Sequence, residues 1–153
     1  MLPCFAAAGG TPVRPVTPLP VSGYAGWLAA ADPRTRAWLE ATGFKAKGGA
    51  VALLPDVEGG GVAGALLLLS DPPEPWDAAA LQAALPTGTT WRLEDPEGRL
   101  LPAHAALGWA LAAYRFTRYR SEEAKDVRLV LPEGEDARVL RAAEILQRRD
   151  VCD

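Results

Sequence analysis

The chain has 153 residues, 49% of them hydrophobic and 23% charged, which is enough apolar surface for one hydrophobic core and too much for general disorder. Sixteen Lys and Arg against nineteen Asp and Glu give a net charge of −3; no basic field is present to neutralise a phosphate backbone, so nucleic acid is not an expected partner. The two cysteines, Cys4 and Cys152, stand at opposite ends of the chain, which provides neither a disulfide framework nor metal-ligand spacing and points to a reducing, cytoplasmic setting.

Residues 1–22 are rich in Pro, Gly and Thr. Pro12, Pro15, Pro18 and Pro20 remove backbone donors, and the segment reads as an extended or loose lead-in. It lacks a basic n-region and a long apolar run, so no signal peptide is expected. A short helix is expected over 23–30 and a firmer one over 33–42. Asp32 suits the cap of the second helix and Pro33 its first position. Trp38 and Leu39 begin its buried face, Gly43 fits a left-handed position past its end, and Phe44 closes back on Leu39.

Ala50–Leu54 and Val62–Leu69 read as strands buried on both faces, joined by a hairpin over Asp56–Gly61. The second run is the longest strongly apolar stretch and is far too short to span a bilayer, so no membrane contact is expected. Pro72, Pro73 and Pro75 mark a loop. Asp77 then caps a short helix to about Leu85, and Thr89–Leu93 is a short strand. The strongest helix spans 103–119 behind Pro102; from Ala105 to Tyr114 it is apolar on almost every side, the pattern of a buried helix. Val127–Leu131 is a strand, and a last helix runs over 136–149 with Val139, Ala142, Ala143 and Leu146 in one stripe. Arg115, Arg118 and Arg120, and again Arg148 and Arg149, sit near helix C-termini, where cations complement the dipole. Strands alternating with helices argue for a layered α/β domain.

The chemistry-bearing residues read mostly as structure. Gly59, Gly61 and Gly64 match G-x-G-x-x-G, but a strand follows rather than a helix, so a hairpin turn is the better reading. His104, the one histidine, has no cysteine or carboxylate at ligand spacing. Ser22, Ser70 and Ser121 lie outside any G-x-S-x-G context. A Cys4–His104 pair would place its nucleophile in the loosest part of the chain. Three carboxylate groups (Asp71, Glu74 and Asp77; Glu94, Asp95 and Glu97; Glu133, Glu135 and Asp136) fall in loops, where such residues solvate or cap more often than they bind cations or move protons.

The segment AALGWALAAYRFTRYR, Ala105–Arg120, resembles the end of the amino-terminal domain in bacterial leucyl (cytosol) aminopeptidases. The resemblance continues through RLVLPEG, Arg128–Gly134, and ARVLRAAEILQRRD, Ala137–Asp150. Weaker likenesses are RAWLEATGF, Arg36–Phe44; ALLP, Ala52–Pro55; and VAGALLLL, Val62–Leu69. The likeness covers most of residues 24–150.

It implies a three-layer α/β domain, a macro-domain-like mixed sheet flanked by helices. It also implies a family of cytoplasmic homohexameric hydrolases that remove N-terminal amino acids from peptides with two divalent metals, zinc or manganese. In such enzymes the metals and catalytic groups belong to a carboxy-terminal domain, which has no counterpart here: RRDV, Arg148–Val151, begins the family's next segment, and no K-G-[IV]-T-F-D-[ST]-G-G run occurs. DPEGRL, Asp95–Leu100, is similar to the family's metal-binding N-T-D-A-E-G-R-L. However, it precedes the domain's own last helix and is ordinary turn chemistry, so Asp95, Glu97 and Arg99 are not assigned as a site.

The expected organisation is therefore a lead-in over 1–22, an α/β domain over 23–135 and a linking helix over 136–153 toward a catalytic domain that is not in this chain. No catalytic, cofactor-binding or metal-binding residue is assigned. The expected partner is a peptidase domain or further copies of the chain, with a structural, substrate-access or oligomerisation role. The alternatives are a macro-like module that binds nucleotide or ADP-ribose through Gly59–Gly61 and a regulatory subunit of aminopeptidase assemblies.

Overall fold

The computed structural model describes residues 4–6, 12–56, 58–113 and 125–131. The predicted helix over 136–149, the 114–119 end of the preceding helix, Ser121, Glu133, Glu135, Asp136 and Cys152 lie outside these residues. Among the described residues, strands Val13–Pro20 (β1), Val51–Pro55 (β2), Val62–Leu69 (β3), Thr89–Leu93 (β4) and Val127–Val130 (β5) form one sheet in the order β2-β3-β1-β4-β5. β1 is parallel to β3 and β4, β5 is parallel to β4, and β2 is antiparallel to β3. Helices Tyr24–Ala30 (α1) and Pro33–Ala41 (α2) precede β2, helix Ala80–Ala84 (α3) follows a 3-10 turn at Pro75–Ala79, and helix Pro102–Ala113 (α4) precedes β5.

The proline-rich start is not a loose lead-in. Val13–Pro20 is the central strand of the sheet, and its neighbours are staggered. β4 pairs with Val13–Val16 and β3 with Val16–Pro20. Successive residues of a parallel strand turn their backbone groups to opposite neighbours. Val16 O accepts from Glu94 N at 2.9 Å, so the even-numbered residues face β4 and the odd-numbered ones face β3. Pro18 and Pro20 therefore turn their missing donors to the β4 side, beyond the end of the β4 ladder. Pro15 turns its own to the β3 side, before that ladder begins. Proline is costly in a central strand only where a ladder bond needs its N–H, and here no ladder needs it.

Residues 4–6 are also tied down. Phe5 bridges Leu129 in parallel fashion, Leu129 N donates to Cys4 O at 3.0 Å and Trp109 Nε1 donates to the same carbonyl at 2.8 Å.

The sheet separates two apolar layers. On one face Val16, Ala65, Leu67, Trp91 and Leu129 pack against Ala78, Leu81, Ala105 and Trp109. On the other, Leu19, Ala52, Leu66 and Leu68 pack against Leu39, with Tyr24, Trp27 and Phe44 around them. β3 supplies both layers, which is why its sequence is continuously apolar. β2 differs from the expectation of burial on both faces. It is an outer strand, and Val51, Leu53, Leu54 and Pro55 remain half-buried.

The caps of α2 follow the sequence. Asp32 Oδ1 accepts from Thr35 N at 2.9 Å, Gly43 takes φ 63°, and Phe44 N donates to Leu39 O at 3.0 Å. Leu39 is buried, as is Thr35 one turn before it, but Trp38 is 45% exposed, so the inward face is the Thr35–Leu39 stripe and does not include Trp38. The expected burial of the α4 helix holds for one side only. Ala105, Ala106, Gly108, Trp109 and Ala110 are buried, whereas Leu101 and Leu111 are exposed.

α4 meets the 3-10 turn backbone to backbone at Gly108, where an added Cβ would collide with the Pro75 carbonyl oxygen. Gly108→Ala should therefore lower stability by about 1–3 kcal/mol in urea unfolding, overpacking outweighing the gain in helix propensity. A methyl group on Gly26 in α1 would instead stand in open space. Gly26→Ala should be neutral or stabilising by up to about 1 kcal/mol in the same measurement.

Candidate functional site

In sheets of this kind ligands commonly bind beyond the carboxyl ends of parallel strands. The loops after β3 and β4 leave that end and carry Ser70, Asp71, Glu74 and Asp77 in one case and Glu94, Asp95, Glu97 and Arg99 in the other. Asp77 is 3% exposed. Its Oδ2 accepts from Ser70 N at 2.9 Å and from Glu74 N at 2.9 Å, and its Oδ1 accepts from Ser70 Oγ at 2.7 Å. Asp77 thus sits in the third position of the 3-10 turn and does not cap the following helix as expected. Its carboxylate holds the loop from the end of β3 to the start of that turn. A buried carboxylate with three donors is satisfied and has little capacity left for a ligand.

The DPEGRL stretch is a turn. Gly98 has φ 62° and its N–H donates to Asp95 O at 3.1 Å. Asp95 Oδ2 accepts from Leu100 N at 2.7 Å, which places Leu100 in the core. Arg99 pairs with Glu97 and donates through NH1 to Pro18 O at 3.1 Å. That carbonyl is the one β1 turns toward the missing continuation of β4, so the guanidinium takes the place of a ladder donor.

The glycine-rich hairpin between β2 and β3 is closed by Asp56 N donating to Gly61 O at 3.0 Å. Asp56 Oδ1 accepts from Glu58 N at 3.0 Å. The amides of Glu58 and Gly59 hold the Asp56 carboxyl below the usual range. An acid already occupies this loop's donors, and its charge opposes a phosphate there.

Cys4 is buried, and desolvation pushes its thiol up from the ordinary value, away from the thiolate a nucleophile needs. Its neighbour is the Trp109 indole. His104 lies in the first turn of α4, half-buried. No three His, Cys, Asp or Glu side chains gather as metal ligands among the described residues, so these residues do not fit a dinuclear zinc or manganese centre. No helix among them is long and apolar enough to cross a membrane.

Two surface features had no clear signal in the sequence. One is a groove of about 520 Å³ between α2 and the β2–β3 hairpin, lined by Arg34, Trp38, Leu53, Leu54 and Val62 among others. The other is the outer side of α4. From Pro102 to Ala113 the helix has no charged residue; Leu111 on it, Leu101 just before it and Trp76 on the adjoining 3-10 turn are exposed. The sequence signal nearest the second feature, the all-round apolar pattern of α4, reads as full burial.

The model of the M17 aminopeptidase N-terminal domain family matches residues 14–132. The chain belongs to this family. Among solved structures, the chain is similar to the cytosol aminopeptidase from Coxiella burnetii, with 24% identity and a TM-score of 0.75 over 92% of this chain and 31% of that one. It is also similar to the bottromycin maturation enzyme BotP, with 24% identity and a TM-score of 0.53 over 87% of this chain and 29% of that one. These likenesses show a shared fold, and this M17 domain spans about a third of either structure's length. No match was found among curated proteins. The family match begins inside β1, at Arg14, consistent with β1 being part of the domain's sheet.

Among the described residues, Asp32 is a cap whose carboxylate is held low at the start of α2. The Thr35 hydroxyl and amide hold the Asp32 carboxyl below its ordinary value. A depressed folded-state pKa gives stability that is complete above the unfolded value, about pH 4, and is lost as pH falls through the folded value. Asp32→Asn keeps a capping acceptor that does not titrate. Its stability deficit against the parent chain should therefore be present at neutral pH and disappear on acidification below about pH 4, read from urea midpoints across pH. Asp77→Ala should cost about 2–4 kcal/mol by the same method, because it removes three charge-assisted hydrogen bonds that tie Ser70 and Glu74 to the 3-10 turn.

Proposed function

We propose that this chain is the non-catalytic amino-terminal domain of a leucyl-type M17 metalloaminopeptidase and acts by packing on a peptidase domain, shaping access to it or its assembly into oligomers. The observation that carries this reading is the family match over residues 14–132. The chain's 31% coverage of the Coxiella enzyme supports it, since in this reading the metals, zinc or manganese, and the catalytic groups belong to the part not spanned here. The carboxylates at the carboxyl end of the sheet agree with a structural role, since Asp77 and Asp95 are engaged by loop amides. The layering is read as macro-domain-like and the assembly as hexameric, as the family resemblance implies; a cytoplasmic setting is supported by the likeness to a cytosol aminopeptidase.

The contact with the peptidase domain is placed on the outer side of α4. The charge-free helix exposes Leu111, and Leu101 before it and Trp76 on the adjoining 3-10 turn are also exposed; water is a poor neighbour for such side chains.

Two measurements test the reading. The purified chain with leucine p-nitroanilide and manganese or zinc should show no turnover; metal-dependent release of nitroaniline would overturn a non-catalytic role. Added to an M17 peptidase domain in a titration calorimeter, the chain should bind, and a Leu101→Glu/Leu111→Glu double variant should bind at least about tenfold more weakly. Equal affinity would remove α4 from the contact.

A further inference from the structure

β2 is the outer strand of the sheet on the side away from β5, and among the described residues it pairs with β3 alone. Leu68 N donates to Ala50 O at 2.8 Å. With the register Ala52↔Leu66 and Leu54↔Gly64, antiparallel alternation places Ala52 and Leu54 in the ladder. It turns the main-chain groups of Val51 and Leu53 outward.

Such an edge is a template on which another strand can add. Every residue of β2, Val51–Pro55, is apolar, so side-chain charge does not discourage pairing. Yet the outward carbonyl of Leu53 is already taken: Trp38 Nε1 donates to it at 2.9 Å. The same indole forms a wall of the groove that runs along the hairpin. At the end of the strand Pro55 has no amide hydrogen to offer.

Core packing alone does not account for Trp38. The ring is 45% exposed, whereas Leu39 beside it is 3% exposed and anchors α2 to the sheet. The indole lies where its one donor meets the one outward carbonyl near the middle of the outer strand.

We propose that Trp38 is a gatekeeper of the free sheet edge, and that the partner it excludes is β2 of a second copy of this chain. Two β2 strands related by a two-fold axis can pair antiparallel through the outward groups of Val51 and Leu53, because an isologous contact uses the same patch on both copies. The apolar groove lined by Leu54 and Val62 would then receive side chains of the added strand. While the indole holds Leu53 O, this pairing lacks its central acceptor and meets the bulk of the ring. This inference is independent of the reading in which α4 meets a peptidase domain.

Sedimentation velocity on the full chain at submillimolar concentration tests it, with circular dichroism confirming that each variant is folded. Trp38→Ala should add a self-association step absent from the parent chain and double the mass of the sedimenting species. Trp38→Phe, which keeps the ring and loses the donor, should associate more weakly than Trp38→Ala and more strongly than the parent; it is the variant to read if Trp38→Ala does not fold. Adding Leu53→Pro removes an outward N–H without breaking a ladder bond, and should return Trp38→Ala or Trp38→Phe to the parent's behaviour. The proposal fails if both Trp38 variants sediment as the parent chain does, or if their association survives Leu53→Pro.

Discussion

The structure depends on β1 being able to lie between two partners despite its prolines. A central strand must satisfy hydrogen-bonding groups along both edges, and three of the eight residues of β1 are prolines. The stagger of its neighbours solves this. β4 covers the first half of the strand and β3 the second, so Pro18 and Pro20 turn their missing donors past the end of the β4 ladder and Pro15 turns its own to the β3 side just before that ladder begins. The rest of the domain follows from that stagger. Because β4 stops early, the chain leaves it through the Asp95–Leu100 turn, and Arg99 supplies Pro18 O with the donor that a longer β4 would have given. The same turn delivers Leu100 to the core and starts α4.

This arrangement explains how the acidic residues are used. Asp32, Asp56, Asp77 and Asp95 lie in four separate connections, and each accepts from a backbone amide two to seven residues away. The charge that clusters in the sequence is thereby distributed among turns that hold helices and strands in place. In this M17 amino-terminal domain these carboxylate–amide bonds sit where the chain reverses. Its two layers are also unequal. The α4 layer is packed so closely that a backbone carbonyl sits against Gly108, while the α1–α2 layer rests on aromatic contacts among Tyr24, Trp27 and Phe44.

The two outer strands are protected by different means. β5 is bridged by Phe5, and the carbonyl of Cys4 receives both Leu129 N and the Trp109 indole. β2 has a tryptophan against one carbonyl and a terminal proline. Both devices bring residues from distant parts of the chain to a sheet edge, and both use an indole N–H as the donor.

The sequence by itself determined the existence and type of most elements: the Asp32-capped helix with its Gly43 stop, the β2–β3 hairpin, the Thr89–Leu93 strand, the α4 helix and the α/β class. These are local signals of capping, turn chemistry and periodicity, and they act within a few residues. It also carried the family, through the run from Ala105 onward. Only the tertiary structure decided that Val13–Pro20 is the central strand, because proline's tolerance depends on where the neighbouring ladders begin and end. Only it decided that Asp77 ties β3 to the 3-10 turn, that Trp38 lies along the sheet edge, and that one apolar side of α4 stays in water. Those outcomes rest on which groups meet across long sequence separations. The spacing of residues along a chain records what a side chain can do, whereas its partner is fixed by strand order and register.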